Sequence, residues 1–154
     1  MAYSYELLTF QRSQFTLNVQ NYFMSDLSDK EMVENANQAF YDAFSHRNIK
    51  SMNLLWWQGN TSLCVHPGGE VLMGWETIKA SWESIFRNTK SLNIEIEVIK
   101  IEVDKALAHV IVRETVLQSS QGRSLKAQSI ATNIFQKMAQ KWYLVHHHGS
   151  PIMR

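Results

Sequence analysis

One cysteine in 154 residues rules out an internal disulfide and any cage of thiolates around a metal. That residue, Cys64, lies in the apolar run "SLCV" and reads as a small buried side chain rather than a nucleophile, which suits a reducing compartment. Charge of either sign is not in excess: 15 basic against 14 acidic side chains give a formal net charge of +1. The electrostatic footprint of a nucleic-acid partner or an anionic membrane is therefore missing. No run approaches the ~18 apolar residues that a membrane span requires. The opening "MAYSYELLTF" lacks the basic-then-apolar layout of a secretion signal, so the expected location is the cytoplasm. Turn formers are scarce too, with two prolines and six glycines, and they gather most densely in "PGGE".

What is present is apolar and aromatic. Apolar residues make up 45% of the chain, including five Trp, five Tyr and seven Phe, enough for the core of one domain. Residues 1–27 mix aromatic and polar groups, and only "FTLNV" alternates, so they read as an arm preceding a domain over 28–154. A first helix is expected at "SDKE", where Ser28 and Glu31 have capping-box spacing. Val33, Ala36, Asn37, Phe40 and Phe44 then form one face. Asn48 can cap a second helix carrying Ile49, Met52, Leu55 and Trp56, and Gly74 precedes a third carrying Ile78, Trp82, Ile85 and Phe86.

Between the second and third helices "TSLCVH" reads as a short strand that "PGGE" ends. After the third, the chain is strand-like. In "NIEIEVIKIEV" the apolar phase jumps from Val98 to Ile99, which a one-residue bulge explains without turning the core side outward. "ALAHVIVRETVL" is apolar on both faces, as in an inner strand covered on each side, and "KMAQK" supplies the turn before "WYLVHHH". The plan is α+β: three N-terminal helices packed on one face of a curved, bulged antiparallel sheet. Such a sheet encloses a cone whose mouth suits a small ligand, and an apolar outer face would need a second subunit.

The order and spacing of "AFYDAFSHRNIKSMNLLW", "VHPGGEVLMGWETIKASWESIF" and "KWYLVHHHGSP" resemble the SnoaL-like branch of the nuclear transport factor 2-like (ketosteroid isomerase-like) superfamily, over about residues 29–151. The resemblance implies the cone-shaped fold, a pocket for a small organic molecule, and dimerisation through the sheet. It leaves open activity, because the superfamily includes isomerases, cyclases and dehydratases beside proteins with none. In its ketosteroid isomerases a proton-shuttling carboxylate precedes a proline at the end of the first strand, and the matching residue here is His66. A histidine there can accept and donate protons near neutrality. Two features depart from that family. The first-helix tyrosine that polarises the substrate carbonyl aligns with Phe40, with Tyr41 one step round the helix, and no acid occurs between Ser124 and Lys137.

The candidate site is therefore His66, with Trp57, Trp75 and Trp82 as apolar lining and Arg113 or Glu114 as the charged contact, whichever enters the cone. The bland alternatives are a His66 that hydrogen-bonds its turn, core tryptophans and a structural ion pair. Strict alternation places His146 and His148 on one face with Trp142 and Leu144, and His147 on the other with Tyr143 and Val145. If His146 and His148 faced inward with His66, three imidazoles would form a zinc or iron constellation, although no carboxylate completes it. The expected function is a cofactor-independent isomerase, dehydratase or cyclase using His66. The alternatives are a non-catalytic ligand-binding or dimeric assembly module, and a histidine-ligated metal enzyme.

Overall fold

The computed structural model describes residues 27–120 and 123–153, so the expected N-terminal arm lies, but for its last residue, outside the described residues. Helix α1 spans Asp29–Ser45 and starts on the expected capping box: Glu31 N–H donates to Ser28 Oγ while Ser28 N–H donates to Glu31 Oε2. Asp29 accepts from Lys137 Nζ at 2.6 Å and from Trp142 Nε1 at 3.2 Å, which ties the first turn to the far end of the sheet. Helix α2 (Ile49–Leu55) is capped by Asn48, whose Oδ1 accepts from Ser51 N–H. Helix α3 (Trp75–Asn88) follows Gly74, whose φ of 79° is a conformation that a side chain would strain. No described helix is long and apolar enough to cross a membrane.

Six strands form one mixed sheet: β1 Leu63–Val65, β2 Val71–Met73, β3 Ser91–Asp104, β4 Leu107–Ser120, β5 Arg123–Met138 and β6 Lys141–Pro151. Their order is β2-β1-β6-β5-β4-β3. β3 to β6 are the expected antiparallel meander, but β1 pairs with β6 in parallel, which corrects the all-antiparallel expectation. No hairpin links β1 to β6, so nothing forces them antiparallel. The three residues of β2, too short to show alternation, add a small hairpin that the pattern did not reveal.

The expected bulge is present: Val98 pairs with Val112 and Lys100 with Ile111, leaving Ile99 extra. The turn at Ala139 and Gln140 has φ of 48° and 65°, the double positive φ of a two-residue hairpin loop. One face of the sheet is closed by the helices, with Phe40, Met52, Trp56, Ile78 and Trp82 buried against Val110, Val112, Phe135 and Leu144. The other face is not covered to the same degree. On β4, Ala108, Val110, Val112 and Glu114 are buried, while His109, Ile111 and Thr115 are half-buried and Arg113 is exposed. The expectation that this strand is covered on both sides thus holds for the helix side alone.

Candidate functional site

The last strand decides which polar groups enter the interior. Ile134 pairs with His146, but Phe135 pairs with Leu144, so Val145 is an extra residue and β6 bulges there. A one-residue insertion reverses the side-chain phase beyond it. Trp142, Leu144 and His147 consequently share the helix-covered face, and the burial along β6 follows this pattern. His146 is half-buried and His148 exposed on the opposite face, their rings 6.3 Å apart. The expected pairing of His146 and His148 with Leu144 is overturned, and His147 takes their place.

His147 joins a buried network drawn from α1, β4, β5 and β6. Asn133 on β5 directly faces it in the pairing register, and His147 Nδ1 lies 2.6 Å from Asn133 Oδ1. Asn133 Nδ2 donates to Asn37 Oδ1 at 2.8 Å and to Tyr41 Oη at 3.1 Å, both on α1. Tyr41 in turn donates to Glu114 Oε1 at 2.7 Å, and Ser129 Oγ donates to Glu114 Oε2 at 2.5 Å. Glu114, Asn133 and His147 are at most 2% exposed. Tyr41 belongs to this face because it follows Asn37 by four residues and Val33 by eight, so the buried arc of α1 reaches further round than the five-residue stripe suggests. A buried carboxylate with two hydroxyl donors is hydrogen-bonded as such a group must be.

His66 follows β1 and completes the constellation from the other side. Its Nε2 lies 2.8 Å from Ser81 Oγ on α3 and 3.9 Å from Cys64 Sγ, and its ring meets Trp82 edge-on at 4.8 Å. Burial and then the nearby His147 hold its imidazole down at about 4, against a smaller pull from Glu114. Burial, with smaller effects of His146 and His148, holds His147 at about 3. Both rings are therefore neutral at pH 7. Burial raises the Glu114 carboxyl above its usual range, against the hydrogen bonds from Ser129 and Tyr41. Burial and then Glu114 push the Cys64 thiol up to about 12, which leaves it a packing residue. Tyr41 is raised well above the usual phenol range by burial and by Glu114.

The remaining sequence candidates separate. Glu114 enters the interior, while Arg113 turns outward and pairs with Glu97. Trp82 packs on Phe40, Phe44 and His66, whereas Trp75 stacks on Trp56 and donates to Asn53 Oδ1. Trp57 is 37% exposed beside Tyr143, away from the interior. His66 is on the helix-covered side and His146 and His148 are on the other, so the three imidazoles do not converge. Among the described residues no group of three His, Cys, Asp or Glu side chains could hold a metal. Asn37, Tyr41, Ser81, Ser129, Asn133 and His147 are not expected from the sequence as members of this site, although Asn37 is placed on the packed face of its helix. The available signal was the polar residues on β5 at 129 and 133, four apart and so on one face of a strand.

Two buried donors, the indole N–H groups of Trp56 and Trp82, have no hydrogen-bond partner among the described residues. Two surface grooves lie away from the polar cluster. One of about 360 Å³ is lined by Asp42, His46, Asn48 and Leu54, and another of about 380 Å³ by Leu92, Leu117 and Leu125, at the opposite end of β5 from Lys137.

Three helices with a six-stranded mixed sheet, as in solved structures of that class, make this a protein of the nuclear transport factor 2-like superfamily. A family model described as a SnoaL-like domain matches residues 33–154, and the chain belongs to that family. A Streptomyces avermitilis structure of the nuclear transport factor 2-like family, provisionally described as a dehydratase, is 28% identical, with a TM-score of 0.77 over 82% of this chain and 98% of that one. A Thiobacillus denitrificans structure, provisionally described as a calcium/calmodulin-dependent protein kinase type II association domain, is 27% identical, with a TM-score of 0.71 over 78% and 94%. A ketosteroid isomerase-like protein of Erwinia carotovora atroseptica, 16% identical with a TM-score of 0.73 over 82% and 98%, shares the fold. Among curated proteins, F-box protein SKIP8 of Arabidopsis thaliana is 24% identical over 121 residues, which are 79% of this chain and 50% of that protein. The chain spans about half the length of this curated relative.

Proposed function

We propose that the protein binds a small organic molecule between its helices and the inner face of its cone-shaped sheet, and acts on it as a cofactor-independent isomerase, dehydratase or cyclase with His66 as acid and base. One observation carries this reading. His66, a neutral imidazole braced by Ser81 and packed on Trp82, shares the buried interior with Glu114 and His147. A neutral imidazole is in the proton-accepting form; burial and His147 make this one a weak base, and the smaller pull of Glu114 offsets part of that cost as the imidazolium forms. The unpartnered Trp82 indole N–H, on the residue packed against His66, is a donor for a substrate oxygen. Because Glu114 and His147 are almost fully closed off, substrate entry requires side chains around them to move.

The test is turnover of β-hydroxy ketones and β,γ-unsaturated ketones by the protein and its His66→Asn variant. Loss of turnover with an unchanged urea midpoint at pH 7 is the expected result, and equal turnover by the two proteins would remove His66 from the chemistry. In this reading the protein is cytoplasmic and forms a homodimer through the sheet, with neither nucleic acid nor membrane as partner.

A second reading, a non-catalytic assembly module, is favoured by the open face of the sheet. There Leu63, Val65, Ile111, Ile130 and Ile134 are half-buried, and Val71 and Met73 are exposed. The likeness to a structure described as an association domain points the same way. Sedimentation of the full chain and of a chain lacking residues 1–27 separates the readings. Loss of assembly on deletion, without any turnover by the full chain, would favour the module.

A further inference from the structure

The hydrogen bonds of the interior run in one direction, and that direction fixes a property of His147. Tyr41 has a single proton, which it gives to Glu114 Oε1. Its oxygen can then only accept from Asn133, so the atom of Asn133 that faces it at 3.1 Å is the amide nitrogen. Asn37 Oδ1, 2.8 Å from the same nitrogen, accepts its second proton. The amide oxygen of Asn133 is thereby the atom facing His147, and an oxygen cannot donate. His147 Nδ1, 2.6 Å away, must carry the proton. In a neutral ring the other nitrogen, Nε2, is then a bare lone pair. Among the described residues no hydrogen bond reaches Nε2, and the ring lies against Phe40 at 5.1 Å and Trp82 at 6.3 Å. The orientation survives protonation of Glu114 on Oε2, because Oε1 still accepts from Tyr41.

We propose that His147 Nε2 is a preset hydrogen-bond acceptor for a ligand hydroxyl, and that Asn133 is the positioning residue holding it in this tautomer. The proposal rests on the reading of the interior as a ligand site, and it adds the class of ligand: an apolar molecule with an O–H group, bound beside His66. A carbonyl alone would find no donor at this ring. Glu114 therefore acts at a distance, through Tyr41 and Asn133, by fixing which way each of them donates. Replacing Glu114 by glutamine preserves the acceptor at Oε1 and leaves His147 unchanged, while Asn133→Leu removes its partner.

Long-range proton–nitrogen spectra of ¹⁵N-labelled full-length protein at pH 7 test both parts. The expected spectrum shows His147 with a protonated Nδ1 and an unprotonated Nε2, unchanged in Glu114→Gln and redistributed towards the Nε2-protonated form in Asn133→Leu. Titration with phenol should shift Nε2 of His147, whereas anisole, the same ring without the donor, should not. A wild-type His147 that is cationic or protonated at Nε2 would overturn the tautomer assignment, whatever the fate of the variants. An Nε2 that responds to neither compound, or equally to both, would overturn the ligand assignment. Neither result depends on turnover, so failure here and failure of the catalytic role of His66 are told apart by the His66→Asn protein, which should keep the His147 spectrum.

Discussion

Acidification from pH 7 to pH 5 should cost this fold about 4 kcal/mol, through two histidines that the folded interior keeps neutral. His66 and His147 are held at about 4 and about 3 when folded, against 6.5 for an exposed imidazole. The unfolded chain therefore binds protons that the folded chain refuses. Stability is complete above pH 6.5 and is lost as pH falls from there towards the folded values. At pH 5 an unfolded histidine is almost fully charged and a folded one at these values is almost uncharged, which is about 2 kcal/mol for each ring. Other groups modify the sum in known directions. His146, also lowered by burial, adds in the same sense. Glu114, raised by burial, takes up its proton sooner when folded and blunts the loss at the acid end. The lowered carboxyls of Asp29, Glu31 and Glu102 stay ionised through this window and drop out. Domains have about 5–15 kcal/mol to lose, so the effect is large. At about 2 kcal/mol per molar of urea, the unfolding midpoint should fall by about 2 M between pH 7 and pH 5. His66→Asn and His147→Gln should each remove roughly half of that fall. A wild-type midpoint that is the same at both pH values, or a His147→Gln protein that loses as much as wild type, would refute the placement of these rings.

Two further substitutions probe the interior separately. Tyr41→Phe deletes the hydroxyl between Glu114 and Asn133 and leaves both partners buried and short of a bond, at a cost of about 1–3 kcal/mol in the urea midpoint at pH 7. Gly149→Ala would set a Cβ 2.7 Å from Cγ and 2.9 Å from Cδ of Pro67, a stiff ring adjoining His66. It should destabilise by about 1–3 kcal/mol and also displace the His66 ring, seen as a shifted imidazole resonance. A Gly149→Ala protein as stable as wild type would show that the turn after β1 yields freely.

The helices and the first bulge were legible in the sequence and the second bulge was not, and the difference is physical. Ser28 with Glu31 and Asn48 are caps whose side-chain oxygens meet N–H groups within three residues, so local spacing suffices to find them. Around Val98 and Ile99, acidic residues alternate with apolar ones, and the phase jump shows because water faces one side only. Around Val145 the sequence runs through leucine, valine and three histidines, and histidine is at home on either face. No residue there marks the reversal, so strict alternation parts His147 from Trp142 and Leu144, and the structure puts the three on one face. Nothing local to β6 corrects that error. It is corrected only by the pairing of β6 with β5, where Asn133 waits opposite His147, and by α1, where Asn37 and Tyr41 face that asparagine from some ninety residues earlier in the chain. The partial legibility of the site has the same origin. His66 was legible because a proline and two glycines mark the end of its strand, and Glu114 because a charge in an apolar strand stands out. The groups that make both of them chemically specific are neutral and polar, dispersed over α1, α3, β5 and β6, and acquire a role only once the sheet and these helices close on one another.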